Sequence, residues 1–151
     1  MNIDVPGRGR LEISSIVFDF NGTLAEDGRV DDTTAGLLKE LGRQYVVTIV
    51  TADTFGTAEA VAQRLGLAWR RIESGRDKQA FVQSLANGVA VVGNGVNDEL
   101  MFRAAALAVC VLGPEGAAPQ TLLAADIVAP STRQALELFL HPKRITATLR
   151  E

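Results

Sequence analysis

Short runs of consecutive apolar residues recur through the chain, each followed by a stretch with helical spacing. The runs are Ile16-Val17-Phe18, "YVVTIV" (45–50), a shorter one near "AWRRI" (68–72), "VAVVG" (89–93), "LAVCVL" (107–112) and "DIVA" (126–129). Strands that read as unbroken apolar runs are buried on both faces, the condition of a parallel sheet covered by helices. The intervening segments agree. Leu37, Leu38 and Leu41 share a helical face, as do Ala58, Val61, Ala62 and Leu65 in a helix expected over 55–65 and closed by Gly66. Further helices are expected at "KQAFVQSLA" (78–86), 97–105, after Pro114, and at "TRQALELFL" (132–140). This alternation predicts an α/β fold: a doubly wound parallel sheet in three layers. Ahead of it, "NIDVPGRGRLEIS" reads as a β-hairpin turning at Pro6-Gly7-Arg8-Gly9, and "PKRITATLR" at the end reads as a short helix or extension packed on the body.

At 151 residues, with no linker, repeat or low-complexity segment, the chain is expected to form one domain over 1–151. Hydrophobic residues make up 47% and charged residues 22%, so a core is affordable and disorder is not indicated. A net charge of −3 and the absence of a basic, aromatic-interleaved cluster argue against nucleic acid as a partner. One Cys and one His exclude a Cys/His zinc site, and Cys110 inside "ALAVCVLG" reads as a buried structural thiol. The N-terminus lacks the apolar core of a signal peptide and no run reaches membrane-spanning length, so no membrane and a cytoplasmic location are expected.

Ligands of open parallel sheets bind at the carboxyl ends of the strands. The first core run stops at Asp19, followed by Asn21, Gly22 and Thr23; the second ends in "TAD", Thr51 to Asp53. Lys78 opens the helix after the third, and the fourth runs into "GNGVND", which carries Asn94, Gly95, Asn97 and Asp98. Carboxylates, hydroxyls, amides and one ammonium at a single edge suit a phosphoryl group with magnesium. Asp19 is a candidate nucleophile or hard metal ligand, and Lys78 a point donor to phosphate. Thr51, Asn97 and the backbone after Gly22 and Gly95 are candidates for the phosphoryl oxygens. Asp53 reads equally as a helix cap or a catalytic group.

In this order, "DFNGT", "TAD", "GRDKQ" and "GNGVNDELM" resemble the four motifs of the haloacid dehalogenase superfamily, and most closely the phosphorylation domain of P-type ATPases. The likeness spans residues 16 to about 129 and includes the small soluble proteins related to those ATPases. It implies a Rossmannoid fold and a Mg²⁺-dependent phosphatase in which Asp19 becomes an aspartyl phosphate. Thr51, Lys78, Asn97, Gly22 and Thr23 would bind phosphate, while Asp19, the carbonyl of Asn21, Asn94 and Asp98 would hold the metal.

Two positions depart from that family. Asn21 stands where most of its phosphatases carry the Asp that protonates the leaving group and then activates water. An amide has no such proton, and general acid–base help is worth about 10²–10⁴-fold. Asn94 stands where the family carries a metal-bound Asp, which should lower metal affinity. Both changes remove negative charge from beside a phosphate dianion, easing anion binding and slowing turnover. The alternative is therefore a phosphate- or phosphoprotein-binding regulatory module. Asn21-Gly22 and Asn94-Gly95 are also deamidation-prone pairs, and trace aspartate at Asn21 could carry activity. Only 32 positions separate Asp19 from Thr51 and 27 separate Thr51 from Lys78, too few for a cap domain. The one flap is "AEDGRVDD" (25–32), turning at Asp27-Gly28. An open site suits a phosphorylated macromolecule or a homo-oligomer whose neighbour supplies the lid.

Overall fold

The computed structural model describes residues 1–53, 55–86 and 88–151. An N-terminal antiparallel hairpin, β1 (Asn2–Val5) and β2 (Gly9–Glu12), precedes a six-stranded parallel sheet. The sheet strands are β3 (Ser15–Asp19), β4 (Val46–Thr51), β5 (Ala68–Arg71), β6 (Val89–Gly93), β7 (Leu107–Val111) and β8 (Ile127–Ala129). Their spatial order is β5-β4-β3-β6-β7-β8, so the chain winds outward from β3 in one direction and from β6 in the other. Register places Phe18 beside Ile49 on one side and Val92 on the other. The order reverses between β3 and β6, which makes the gap beyond their carboxyl ends the natural ligand crevice.

Alternation along the strands divides the core. Ile16, Phe18, Val47, Ile49 and Val92 face one layer; Val17, Val50, Val91 and Cys110 face the other. The first layer is covered by α1 (Asp32–Gly42), α2 (Ala58–Leu65), α6 (Thr132–Leu140) and α7 (Pro142–Leu149), and the second by α3 (Gly75–Ser84), α4 (Glu99–Ala104) and α5 (Pro119–Ala124). Cys110 is fully buried, as its sequence context predicts. Among the described residues no helix is long and apolar enough to cross a membrane.

Element boundaries depart from expectation where a cap decides them. Helix α2 begins at Ala58 rather than 55, because Phe55 and Gly56 form a turn first; Thr54 lies outside the described residues. Helix α3 begins earlier than expected, at Gly75, since the Ser74 hydroxyl accepts from the Asp77 amide and caps it. The helix expected over 97–105 is a 3₁₀ turn, Val96–Asp98, running into α4. The last stretch is a helix, with Ile145 buried in the core.

Phe139 joins three elements. Its ring meets Phe18 edge-on at 6.5 Å and Tyr45 at 6.3 Å, and its carbonyl accepts from the Tyr45 hydroxyl at 2.9 Å. Replacing it with alanine removes a fully buried ring between α6 and the central strand. Phe139→Ala should destabilise the fold by about 3–5 kcal/mol, read by urea denaturation.

Candidate active site

Asp19 is the last residue of β3, buried at the carboxyl edge of the sheet. Beneath it lies the Lys78 ammonium, fully buried, 2.6 Å from Asp19 Oδ1 and 2.6 Å from Asp98 Oδ1. Two glycines make this packing possible. A Cβ on Gly93 would stand 2.5 Å from Asp98 Oδ2, and one on Gly75 would stand 2.9 Å from the Asn97 carbonyl oxygen. The first lets the Asp98 carboxylate tuck under β6; the second lets α3, which carries Lys78, approach the 3₁₀ turn. Asp98 Oδ2 accepts from the amides of Asn94 and Gly95, each at 2.9 Å. Both Asp98 oxygens, assigned to the metal by family resemblance, are thus engaged with Lys78 and the backbone.

The loop after β3 is held from the other side. The Thr23 hydroxyl lies 3.0 Å from Asn94 Oδ1 and 3.4 Å from Asp19 Oδ2. Asn94 Nδ2 donates to the Gly116 carbonyl at 3.0 Å, which leaves the amide oxygen turned toward Thr23 and Asp19. The Gly22 amide donates to the Ala25 carbonyl and the Thr23 amide to the Phe20 carbonyl, so both are spent within the loop. Gly95 likewise gives its amide to Asp98. These bonds also bear on deamidation, in which the amide nitrogen after asparagine must attack the side-chain carbonyl. In both Asn-Gly pairs that nitrogen is held in a hydrogen bond elsewhere.

Asp19, Asn21, Thr51, Asn94, Gly95 and Asn97 line one cavity of about 190 Å³, joined by Ala52 and Glu115. Thr51 ends β4, and its hydroxyl oxygen accepts from the Asp53 amide at 2.8 Å. Asp53, at a left-handed φ of 55°, turns its own carboxylate to the Ala58 amide at 3.0 Å, which is the capping alternative for this residue. Lys78 and Asp98 are the floor beneath Asp19 rather than the wall. Glu115 is the residue that the sequence reading missed. It lies in the turn after β7, between Gly113 and Gly116, where glycines and a proline give the sequence no sign of a site. An open groove of about 830 Å³ adjoins the site, between the flap and Pro114, Ser131 and Thr132.

One ammonium between two carboxylates leaves an excess negative charge when all three groups are ionised. Burial is the main force raising the Asp19 carboxyl, the Asp98 charge adds to it, and Lys78 pulls the other way; the outcome is about 7. Lys78 moves upward as well, because its two carboxylates outweigh the effect of burial. A cation above Asp19 would relieve the imbalance. Asn21 Oδ1 is buried without a hydrogen-bond partner among the described residues, and the Asn94 amide oxygen accepts from the Thr23 hydroxyl beside Asp19. Among the described residues no three His, Cys, Asp or Glu side chains converge as a metal centre. Asp19, Asn21 and Asn94 line the same cavity and offer one carboxylate and amide oxygens, a set of hard donors that fits magnesium.

No protein-family model matches the chain. An uncharacterized protein of Methanocaldococcus jannaschii is 44% identical over 63 residues, 42% of this chain and 68% of that one. Among solved structures, the 3-deoxy-D-manno-octulosonate 8-phosphate phosphatase of Moraxella catarrhalis, in complex with magnesium, phosphate and the sugar acid, superposes with a TM-score of 0.73. The match is at 19% identity and covers 91% of this chain and 94% of that one. A zinc-transporting PIB-type ATPase in its E2.Pi state matches with a TM-score of 0.66 at 26% identity, over 79% of this chain but only 20% of the ATPase. The sheet order is that of a haloacid dehalogenase-like α/β fold. The chain shares that fold, and among the described residues no cap is inserted between β3 and α3.

Lys78→Met tests the buried triad. Stripped of their partner, two buried carboxylates cost about 3–5 kcal/mol at pH 8. The sign with pH follows from the raised Asp19 carboxyl. Between about pH 4 and 7 the folded chain holds a proton that the unfolded chain releases, so this group favours folding at acid pH and that help is lost as pH rises through 7. The variant exaggerates the trend. Urea melts should show the gap between variant and wild type widening from pH 5 to pH 8.

Proposed function

We propose that the chain is a Mg²⁺-dependent phosphohydrolase that works through an aspartyl phosphate on Asp19, and that it is slow for its class. The observation that supports this most directly is the Asp19 carboxylate at the mouth of the β3–β6 crevice, braced by Lys78 from below. An Asp19 oxygen attacks phosphorus and the bond to the leaving oxygen breaks. The leaving alkoxide takes its proton from water, because Asn21 has none to give. Water then attacks the phosphorus of the aspartyl phosphate, releasing inorganic phosphate and restoring the carboxylate.

Thr51 and Asn97 stand on the cavity wall where equatorial phosphoryl oxygens would lie, and Lys78 keeps one N–H beyond the two used on Asp19 and Asp98. Asp19, the Asn21 carbonyl and the Asn94 amide oxygen would hold magnesium, with Asp98 fixing the loop behind them. The bound ion would supply positive charge to the phosphoryl oxygens. A small cavity beside an open groove suits a phosphate displayed on a larger molecule, or a second copy of the chain serving as the lid.

Aryl phosphate hydrolysis should be measurable and should vanish in Asp19→Asn and in the presence of chelator. Restoring the proton donor with Asn21→Asp should raise the rate by about 10²–10⁴-fold. Intact-mass analysis of each preparation accounts for aspartate formed at Asn21. A wild type that binds phosphate but never turns over, beside an active Asn21→Asp, would assign the native chain to phosphate binding instead.

A further inference from the structure

The loop after β7 brings a carboxylate to the site that the four motifs do not contain. Glu115 lines the same cavity as Asp19, Asn21 and Asn94. Gly22 shows how close it comes. A Cβ on that residue would lie 2.6 Å from Glu115 Oε2 and 2.6 Å from Asn94 Nδ2, so the carboxylate and the amide are separated by no more than twice that distance.

The approach is built into the backbone. Gly113 and Gly116 close a tight turn, with the Gly116 amide donating to the Gly113 carbonyl at 2.9 Å and Gly116 at a φ of +74°. Asn94 holds this turn at two points: its side chain donates to the Gly116 carbonyl, and its own carbonyl accepts from the Ala118 amide at 2.8 Å. Gly113 also packs on the loop after β3, where a Cβ would stand 2.9 Å from the Gly22 carbonyl oxygen. Glu115 is exposed and has no ion-pair partner among the described residues, and its carboxylate lies over Gly22.

We propose that Glu115 is the counter-charge of the cation site, supplying from the β7 loop the negative charge that the amide of Asn94 does not. The inference rests on the phosphohydrolase reading above and concerns how that site holds its metal. Magnesium keeps several waters when bound by one or two carboxylates, so a carboxylate beside Asn94 need only accept from the hydrated ion to contribute. Division of labour then explains the side chain at Asn94. A neutral amide can tie two loops together through Nδ2 while its oxygen faces Asp19; a carboxylate could not make the first bond. The charge is supplied by the loop that the amide holds.

Mn²⁺ binding, followed by the loss of the free-ion electron paramagnetic resonance signal and competed with Mg²⁺, tests this without reference to turnover. Glu115→Gln should weaken Mn²⁺ by about 10–100-fold, the range found for groups that support metal ligands. Glu26→Gln, which removes the same charge from the adjoining groove, should stay within about twofold of wild type. Adding Asn94→Asp to Glu115→Gln should recover the lost affinity. Glu115 is exposed, and thermal melts of each variant check that the fold is kept. Wild-type affinity in Glu115→Gln overturns the inference and leaves the phosphohydrolase reading standing. A wild type that binds no Mn²⁺ overturns the cation site and this inference together.

Discussion

The carboxyl edge of this sheet is organised by a single ammonium. Lys78 sits between Asp19 and Asp98, joining chain segments 59 and 20 residues away in sequence. Burying such a group costs free energy that Coulomb attraction repays only with good geometry and full hydrogen bonding. The geometry is good, and two of the three ammonium N–H groups are paired. The second Asp98 oxygen takes two backbone amides, and Gly93 and Gly75 clear the volume that lets the three groups meet. The arrangement is a poor way to gain stability and a good way to fix position. Asp19 is held to within a hydrogen bond of one orientation, while the charge left over makes the mouth of the crevice attractive to a cation.

Seen from that triad, the two asparagines do different things. Asn21 changes chemistry: its oxygen is buried and has no partner among the described residues, able to accept a hydrogen bond but with no acidic proton. Asn94 changes architecture. Its oxygen accepts from Thr23, its nitrogen donates to Gly116, and its backbone binds Asp98 and Ala118, so three loops meet on one side chain. An aspartate there would lose the donor to Gly116 and place a third negative charge beside Asp19 and Asp98.

Most of the fold was legible in the sequence because strands buried on both faces leave an unmistakable pattern of apolar runs. "VAVVG" (89–93) and "TRQALELFL" (132–140) coincide with β6 and α6 to the residue. Where reading and structure diverge, the cause is a contact between segments. Asp53 reaches over a turn to cap α2 at Ala58, and no local rule moves a helix start five residues from its cap. The candidate site was legible as a set of strand ends, and six of its residues do share one cavity. That Lys78 and Asp98 form the floor was not legible, since it depends on two absent Cβ atoms. Glu115 was hidden for another reason: its motif is a turn of glycines and proline, which reads as punctuation.

The flap bears on what such a site can admit. Asp27, at a φ of 50°, and Gly28, at 75°, make the tight turn that Glu26 and Arg29 close with paired backbone hydrogen bonds. The turn is tied to the segment before α2. The Thr57 hydroxyl donates to the Gly28 carbonyl at 2.7 Å, and a Cβ on Gly28 would stand 2.8 Å from that of Phe55. A flap tied to the segment before α2 serves as a fixed wall of the adjoining groove, whereas a lid must exchange one set of contacts for another. A wall tied in this way leaves less for closure to contribute than a lid that induced fit would bring down. Selection must then come from the groove as it stands, through Arg29 and the carboxylates of Glu26, Asp27 and Asp31 that line it. Such a surface favours a polar partner.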